Sequence, residues 1–471
     1  MRSNSVFNNT FWILFGSACN KVSSIVLLYL LSRYLGVGDF GKFSFVFFYI
    51  SLFGAVAEMG LTPILIKYLS VNDKRCGEVL GRGILIGGAC TIFAILLAWT
   101  GALLLGYAPD IRHLIFIASL NLLISFRDVT FRWILEAPYR ARLKMAFPVL
   151  LGIISETLGL VFIIFIISAK GSLDTIIAAY VLSNLPGFML LAIMSVRSTR
   201  PSFRDKSISS AVIFKEALPI GSSNILSSIY LVLGSLVLFH YSGPEDVGYY
   251  ALAFRLTVSL RIIPEAMMHS IFPLLAKAFQ GDIKGISHIY AVAIRYGSLI
   301  AFPLVLGTMI VAKPVALLLG GESFQPASIA LSIMIWATFI SFFNTVVRFT
   351  FNAINLQKYN FIISIIMISA SAAFSFLLIP KYGFAGASLA LVASEFTAMA
   401  ASFIVAGSFG LAVPFRIISK YFIASLGMSA GILFLQSLSL QLLIGMVIYI
   451  AIVVLIGGVQ KDELVSMLQR G

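Results

Sequence analysis

Charged residues are scarce in this chain, and this scarcity distinguishes a membrane protein from a soluble one. Only 11% of the 471 residues are charged, whereas 60% are hydrophobic and the mean hydropathy is +1.02. Soluble domains carry about a quarter charged residues, so a soluble fold is excluded. Apolar runs of about 20 residues, each long enough to cross a bilayer, recur along the chain. Because these runs are continuous and do not alternate as barrel strands do, we expect an all-α polytopic membrane protein.

Cysteine and histidine are also rare, and neither type has the spacing of a ligand set. The chain contains 3 cysteines and 4 histidines, scattered along its length. Zinc sites need closely spaced pairs of these residues, and 3 cysteines do not form a disulfide framework. We therefore expect no metal site and no cofactor, although coupling to a proton or sodium gradient across the membrane stays open.

Acidic residues are outnumbered, with 19 Asp and Glu against 33 Lys and Arg, for a net charge of +14. Lys and Arg near the ends of membrane spans are retained on the cytoplasmic side. Here the basic residues cluster in alternate loops, which predicts that both termini are cytoplasmic and implies no nucleic-acid partner. The loops of the first half that are predicted to be cytoplasmic are 67–82, 136–144 and 196–216.

The hydropathy pattern predicts about fourteen spans in two halves. The first half (1–196) has spans at 8–33, 40–66, 83–107, 113–136, 145–168 and 174–195. A basic cytoplasmic linker (197–216) follows. The second half (217–408) has spans at 217–240, 248–276, 289–312, 327–352, 359–379 and 384–408, and the remainder (409–471) has two further spans at 415–436 and 439–459 and a short tail.

One stretch of sequence occurs twice, at an offset of 207 positions. YLGVGDFGKFSF (34–45) aligns with YSGPEDVGYYAL (241–252), so that Gly36 meets Gly243, and further along Glu58 meets Glu265. Each copy lies between two apolar spans, which predicts a tight helix-to-helix turn whose glycines supply backbone freedom. Six spans per half is an even number, so the two halves enter the membrane from the same side and form a parallel repeat.

Seven cations fall inside the predicted spans, where an unbalanced charge costs several kcal/mol. They are Lys21, Arg127, Arg132, Arg255, Arg261, Arg295 and Arg348. We expect Arg295 to extend to the inner surface. Asp128–Arg132 and Arg261–Glu265 are four apart and predict ion pairs on one helix face. The others have no carboxylate at helical spacing, and the spacing of Ser17, Asn20 and Ser24 around Lys21 predicts a polar stripe. Together they predict a central, inward-weighted cationic cavity.

Five acidic residues also lie within predicted spans: Glu58, Asp128, Glu156, Glu265 and Glu395. Glu58 and Glu265 are related by the repeat and are candidates for structural partners of the arginines. Glu156 and Glu395 have no basic residue at helical spacing, so they are the main candidates for ion coupling or protonation.

Four motifs in order resemble the polysaccharide-export flippases of the multidrug/oligosaccharidyl-lipid/polysaccharide exporter superfamily. They are YLGVGDFGKF from Tyr34, LPIGSSNIL from Leu218, YSGPEDVGYYALAFRL from Tyr241 and IPKYGFAGASLA from Ile379. The resemblance implies two six-helix lobes in a V shape, two added C-terminal helices and alternating access. It also implies a bacterial inner-membrane protein that moves a polyprenyl-diphosphate-linked oligosaccharide to the outer leaflet, beside polymerase and glycosyltransferase machinery.

A cationic cavity suits that substrate, because several arginines can pair with the diphosphate oxygens in bidentate geometry. The diphosphate-binding candidates are Lys21, Arg127, Arg132, Arg255, Arg261 and Arg348. Three alternatives stay open. A lipid II flippase shares the cationic cavity, a multidrug or cation antiporter would have an acidic one, and a glycan polymerase or ligase would carry a large extracytoplasmic loop, whereas the outer loops here are short.

Overall fold

The computed structural model describes residues 2–71, 76–203, 209–279, 284–435 and 437–458, and within these ranges the chain contains helices and no strand. Residues 459–471, predicted to be a short tail, and part of the predicted linker lie outside these ranges. The helices are α1 (Arg2–Glu58), α2 (Leu61–Val71), α3 (Cys76–Leu104), α4 (Pro109–Ser119), α5 (Asn121–Ile124), α6 (Arg132–Ala141), α7 (Ala146–Ser168), α8 (Leu173–Leu182), α9 (Leu185–Thr199), α10 (Ser210–Leu260), α11 (Ile262–Ala278), α12 (Lys284–Gly320), α13 (Ala327–Ala353), α14 (Gln357–Ser408), α15 (Phe415–Ile432) and α16 (Leu438–Leu455).

The helices confirm a polytopic membrane protein. Within the described residues, 9 helical segments are long and apolar enough to cross a bilayer. Three of them fold back at a glycine, at Gly36, Gly243 and Gly383, and therefore account for two crossings each. The two remaining predicted spans correspond to the stretch from α4 to α6 and to α15. The arrangement agrees with fourteen crossings.

The repeated motif forms the same turn in both copies, as predicted. Gly36 has φ 67° and ψ −178°, and Gly243 has φ 81° and ψ −172°. An L-residue with a side chain rarely adopts this region, whereas glycine does so without steric cost. No atom lies within 4 Å of a Cβ built at either position, so the glycines are required for backbone conformation and not for space.

The predicted cytoplasmic loops of the first half meet at one end of the helices. Lys67 Nζ lies 3.0 Å from Glu216 Oε2, which joins the first loop to the third. Arg142 Nη1 donates to Ser198 Oγ at 3.2 Å, which joins the second loop to the third. The structure therefore places all three loops on the same side, although which side faces the cytoplasm stays a prediction.

The predicted outer loops meet at the opposite end. Tyr34 Oη donates to the carbonyl of Gly171 at 2.8 Å, and Lys42 Nζ lies 3.4 Å from Asp110 Oδ2. In the second half, the Asp246 carboxylate accepts from the backbone N–H of Phe384 at 2.9 Å and so joins two further outer turns.

The helices divide into two compact units, Met1–Phe239 and His240–Gly471. This division by contacts assigns the start of α10 to the first unit. The lobe limits drawn from topology, with a linker at 197–216, stay a prediction.

Each unit has its own packed core of buried side chains. In the first unit, Leu65 of α2 packs with Leu80 of α3 and Ile134 of α6. In the second, Leu275 of α11 packs with Tyr290 of α12. Since lipid tails are as apolar as leucine, close packing is what holds such helices together.

Arg295 of α12 binds both C-terminal helices. The expectation that its side chain extends to the inner surface is wrong. Its side chain is buried, Nε donates to Tyr421 Oη at 3.0 Å, and Nη2 donates to the carbonyl of Gly458 at 3.0 Å. The carbonyls after α16 have no partner within the helix, and a guanidinium satisfies one of them.

Candidate charged sites within the membrane

A break in the fourth predicted span organises the charged groups of the first unit. α5 ends at Ile124, Ser125 is extended with φ −60° and ψ 135°, and α6 does not begin until Arg132. The Ser125 hydroxyl accepts from the backbone N–H groups of Arg127, at 3.1 Å, and Asp128, at 3.2 Å, which stabilises the turn. Irregular backbone at membrane depth is tolerated where it is buried in protein or lines a cavity, and it commonly marks a binding site.

Arg127 lies in this break and is held by an aromatic ring and not by a carboxylate of its own segment. Its guanidinium carbon is 4.3 Å from the centre of the Tyr180 ring, a cation–π contact. Nη1 is buried and has no hydrogen-bond partner among the described residues. A Cβ built at Gly159 would lie 2.8 Å from Nη2, so a larger residue there would require the guanidinium to shift.

Glu156 is the acidic neighbour of Arg127, supplied by α7. It is 4% exposed, Oε1 accepts from Asn20 Nδ2, and Oε2 is buried without a hydrogen-bond partner in the described part of the chain. Arg127 lies within electrostatic range of the carboxylate. Lys21, next to Asn20, is exposed.

Arg132 has a different partner from the one expected. Asp128 lies outside the helix that Arg132 begins and is only within electrostatic range of it, so the direct ion pair forms with Glu136 and not with Asp128 as predicted. Arg132 Nη1 pairs with Glu136 Oε1, Nε donates to the carbonyl of Ser125 at 2.6 Å, and Arg140 Nη2 holds the other Glu136 oxygen at 3.0 Å. Arg132 is only 5% exposed and is therefore a structural residue.

The Asp128 carboxylate is bound by polar groups of the same break. Its Oδ2 accepts from Asn121 Nδ2 at 3.1 Å and from Ser125 Oγ at 3.1 Å. Glu58, by contrast, caps a helix: its carboxylate accepts from the backbone N–H groups of Gly60, at 2.9 Å, and Thr62, at 2.6 Å, at the start of α2. A carboxylate is stabilised at such a helix N-terminus.

In the second unit the predicted Arg261–Glu265 pair is also wrong. Arg261 Nη1 lies 2.8 Å from Glu395 Oε1, and Asn344 Nδ2 donates to Glu395 Oε2 at 2.9 Å. Glu395 is 3% exposed. Arg261 lies at the joint between α10 and α11, where the spacing of a continuous helix no longer sets its direction.

Glu265 instead pairs with Arg348 of α13, a pair that helical spacing did not indicate. Nη2 of Arg348 contacts Oε1 of Glu265, and the two side chains are 47% and 40% exposed. Arg255 is half-buried and has an interaction partner within the protein.

The structure therefore separates the predicted cations into two kinds. Arg132 and Arg261 are fixed in pairs with buried carboxylates, whereas Arg127 is half-buried against an aromatic ring and Lys21 is exposed. Sequence analysis missed Tyr180 and Asn344, which come from other helices and leave no periodic signal. It also missed Glu136, which the i, i+4 spacing from Arg132 could have indicated. Asn20 was marked by the polar stripe. No group of three or more His, Cys, Asp or Glu in the described residues is placed to hold a metal ion.

Comparison with known proteins defines the family. A model described as polysaccharide biosynthesis protein matches residues 6–279, more than half of the chain, and the MatE model matches residues 219–377. The chain belongs to the polysaccharide biosynthesis protein family. It is thus a member of the multidrug/oligosaccharidyl-lipid/polysaccharide exporter superfamily, as its motifs predicted.

Relatives of this family member are similar over most of their length. "Probable flippase AglR" of Haloferax volcanii is 23% identical over 79% of this chain and 77% of its own. "Capsular polysaccharide biosynthesis protein CapF" of Staphylococcus aureus is 23% identical over 62% of this chain and 78% of its own. The solved structure of lipid II flippase MurJ in an inward closed conformation matches with a TM-score of 0.76 at 16% identity, covering 95% of this chain and 98% of that one. At that identity the match establishes the fold.

Proposed function

We propose that this protein is a flippase that moves a polyprenyl-diphosphate-linked oligosaccharide from the inner to the outer leaflet by alternating access. The observation that carries the proposal is Arg127, a half-buried arginine at a break in a membrane helix whose Nη1 is buried without a hydrogen-bond partner among the described residues. The names of the relatives, a flippase and a capsular polysaccharide biosynthesis protein, support the substrate class.

The chemistry of the substrate explains why a guanidinium at this position would be useful. A diphosphate does not cross hydrocarbon unaided, whereas the lipid tail can remain in the bilayer throughout. A guanidinium presents a planar fork of N–H donors that matches two phosphate oxygens, and a charge-assisted bond of this kind is about twice as strong as a neutral one. Arg127 would bind the diphosphate, and Lys21, being exposed, would add a second positive charge.

Glu156 would compete with the diphosphate for Arg127. While its carboxylate is ionised, it balances the arginine charge. If it takes up a proton or a coupling cation, the arginine is left to the substrate. Of the five predicted coupling acids, Glu58, Glu265 and Glu395 are bound by backbone amides or arginines, and Asp128 accepts hydrogen bonds from Asn121 and Ser125. We therefore assign gradient coupling to Glu156 in preference to them.

Arg255 and Arg348 of the second unit stay predicted diphosphate-binding residues. Arg348 is half-exposed in its pair with Glu265, so an anion can displace that carboxylate at low cost. Arg132 and Arg261 are assigned to structure and not to ligand binding. Both termini are expected in the cytoplasm of a bacterial cell, with polymerase and glycosyltransferase machinery as partners at the same inner membrane.

The experiment that tests this function uses the purified protein in liposomes that carry one of two labelled lipids. One lipid is a polyprenyl-diphosphate oligosaccharide, and the other is lipid II. Faster loss of the first lipid from the loaded leaflet, relative to empty liposomes, supports the proposal. Transport of lipid II alone would establish the lipid II alternative, and transport of neither lipid would overturn a flippase function.

A further inference from the structure

A small cavity lies between α1 and the break after α5, beside the segment that carries Arg127. Its volume is about 10 Å³, and its polar lining consists of Ser51, Asn121, Asp128 and Thr130. A cavity of this size holds one water molecule or one small ion.

The hydroxyl groups around this cavity have already used their hydrogen atoms elsewhere. Ser51 Oγ donates to a carbonyl one turn earlier at 2.8 Å, and Thr130 Oγ1 donates to the carbonyl of Ser125 at 3.2 Å. The amide of Asn121 donates one of its two hydrogens to Asp128 at 3.1 Å. Both hydroxyl oxygens and Asn121 Oδ1 can still offer lone pairs, which bind a cation.

One of these oxygens lacks a partner altogether. Asn121 is 2% exposed, and its Oδ1 is buried without a hydrogen-bond partner among the described residues. An unsatisfied buried acceptor costs about 1–3 kcal/mol, so it calls for a ligand. Because the amide nitrogen of Asn121 is held by Asp128, the side chain cannot turn to satisfy Oδ1 elsewhere without losing that bond.

The backbone adds negative potential at the same place. α4 and α5 run into the break with their carbonyl end, which carries the negative pole of a helix. A Cβ built at Gly54 would lie 2.6 Å from the carbonyl oxygen of Val129, so α1 packs directly against the unwound segment. Unwound carbonyls and the C-terminal ends of half-helices are the elements that coordinate sodium in many transporters.

We propose that Ser51, Asn121, Asp128 and Thr130 form a sodium-binding site. A single carboxylate with neutral oxygens suits a monovalent ion, whereas Ca²⁺ takes 6–8 oxygen ligands and usually several carboxylates. The ion would tie α1 to both sides of the break and so fix the segment that carries Arg127. The inference does not depend on the identity of the transported lipid.

The test measures sodium binding without any transported substrate. The purified full-length protein is heated in detergent in NaCl or in choline chloride at equal ionic strength, and ²²Na⁺ binding is counted in parallel. We expect the melting temperature to rise and saturate with Na⁺ but not with choline, as for a ligand that binds the folded state. Thr130→Val and Asp128→Asn should abolish both the rise and the ²²Na⁺ signal.

Thr91→Val is the matched control, since Thr91 is also buried and donates its hydroxyl to a helix carbonyl, at 2.7 Å, in α3. It should keep the sodium response. Equal stabilisation by choline, no ²²Na⁺ binding, or a normal sodium response in Thr130→Val would overturn the site and leave a cavity that holds water. If Asp128→Asn does not fold, Thr130→Val alone decides. A failed lipid-transport assay leaves this result unaffected, so the two proposals fail separately.

Discussion

At the scale of single residues, the difference between a buried and a half-exposed arginine–glutamate pair makes the clearest prediction about stability. Arg261→Ala should lower the free energy of unfolding by about 3 kcal/mol, because it leaves the buried carboxylate of Glu395 without its cation. Arg348→Ala removes a half-exposed ion pair and should cost less than about 1 kcal/mol. Thermal unfolding in detergent compares the two variants. Equal losses would show that burial does not distinguish these pairs.

Glu156→Gln makes a second prediction at this scale. The amide oxygen of glutamine can still accept from Asn20, so the variant should fold and reach the membrane. If Glu156 carries the coupling ion, transport should continue but should no longer respond to imposed proton or sodium gradients. Glu395→Gln, which weakens the pair with Arg261, should lose stability instead. A Glu156→Gln protein with the gradient response of the wild type would relegate Glu156 to a structural role.

The residues also show where sequence reasoning succeeds and where it fails. The locations of the charges in the membrane were readable, because a Lys or Arg in an apolar run is conspicuous. Their partners were not, because the i, i+4 rule holds only in a continuous helix. Arg132 begins α6, so it pairs four residues forward with Glu136 and not backward with Asp128, and Arg261 lies between α10 and α11 and pairs with a different helix. Partners such as Tyr180 and Asn344 are brought in by packing between helices that no local pattern encodes.

At the scale of helices and turns, Gly36 and Gly243 were predictable because the motif occurs twice. Gly36→Ala and Gly243→Ala should each cost about 1–2 kcal/mol, since alanine is strained at positive φ. Gly88→Ala is the matched control: Gly88 lies within α3 with no atom within 4 Å of a built Cβ. There alanine should be neutral or stabilising. A loss of stability in Gly88→Ala equal to the other two would refute the conformational explanation.

The break between α5 and α6 was not predictable, since 113–136 was expected to be one span. Neither proline nor glycine occurs from Ser125 to Phe131, and the helix is interrupted by side-chain bonds from Ser125 and Asp128 to nearby groups. Such polar side chains compete with helix hydrogen bonding. The candidate site therefore lies at a helix break that the composition of this span does not predict.

At the scale of the whole molecule, the up-and-down order of the first unit was predicted and the loops confirm it, while the orientation in the membrane is open to test. Ser209→Cys, exposed in the predicted cytoplasmic loop, should resist an impermeant thiol reagent added to intact cells. Asp110→Cys, at the opposite end and 56% exposed, should react. Both are measured in a protein without its 3 native cysteines. The reverse pattern would place the Lys67–Glu216 end outside.

The central claim is that Arg127 binds the diphosphate of a transported lipid-linked glycan. The most direct measurement is the surface delivery of glycan in cells that lack their native flippase, with the membrane level of each variant measured in parallel. Arg127→Ala should reduce delivery about 10-fold or more, and Arg127→Lys should restore only part of it, because an ammonium lacks the bidentate fork. Arg197→Ala, which removes an exposed cation in the last turn of α9, should transport normally. Normal delivery by Arg127→Ala at the wild-type protein level would contradict the account.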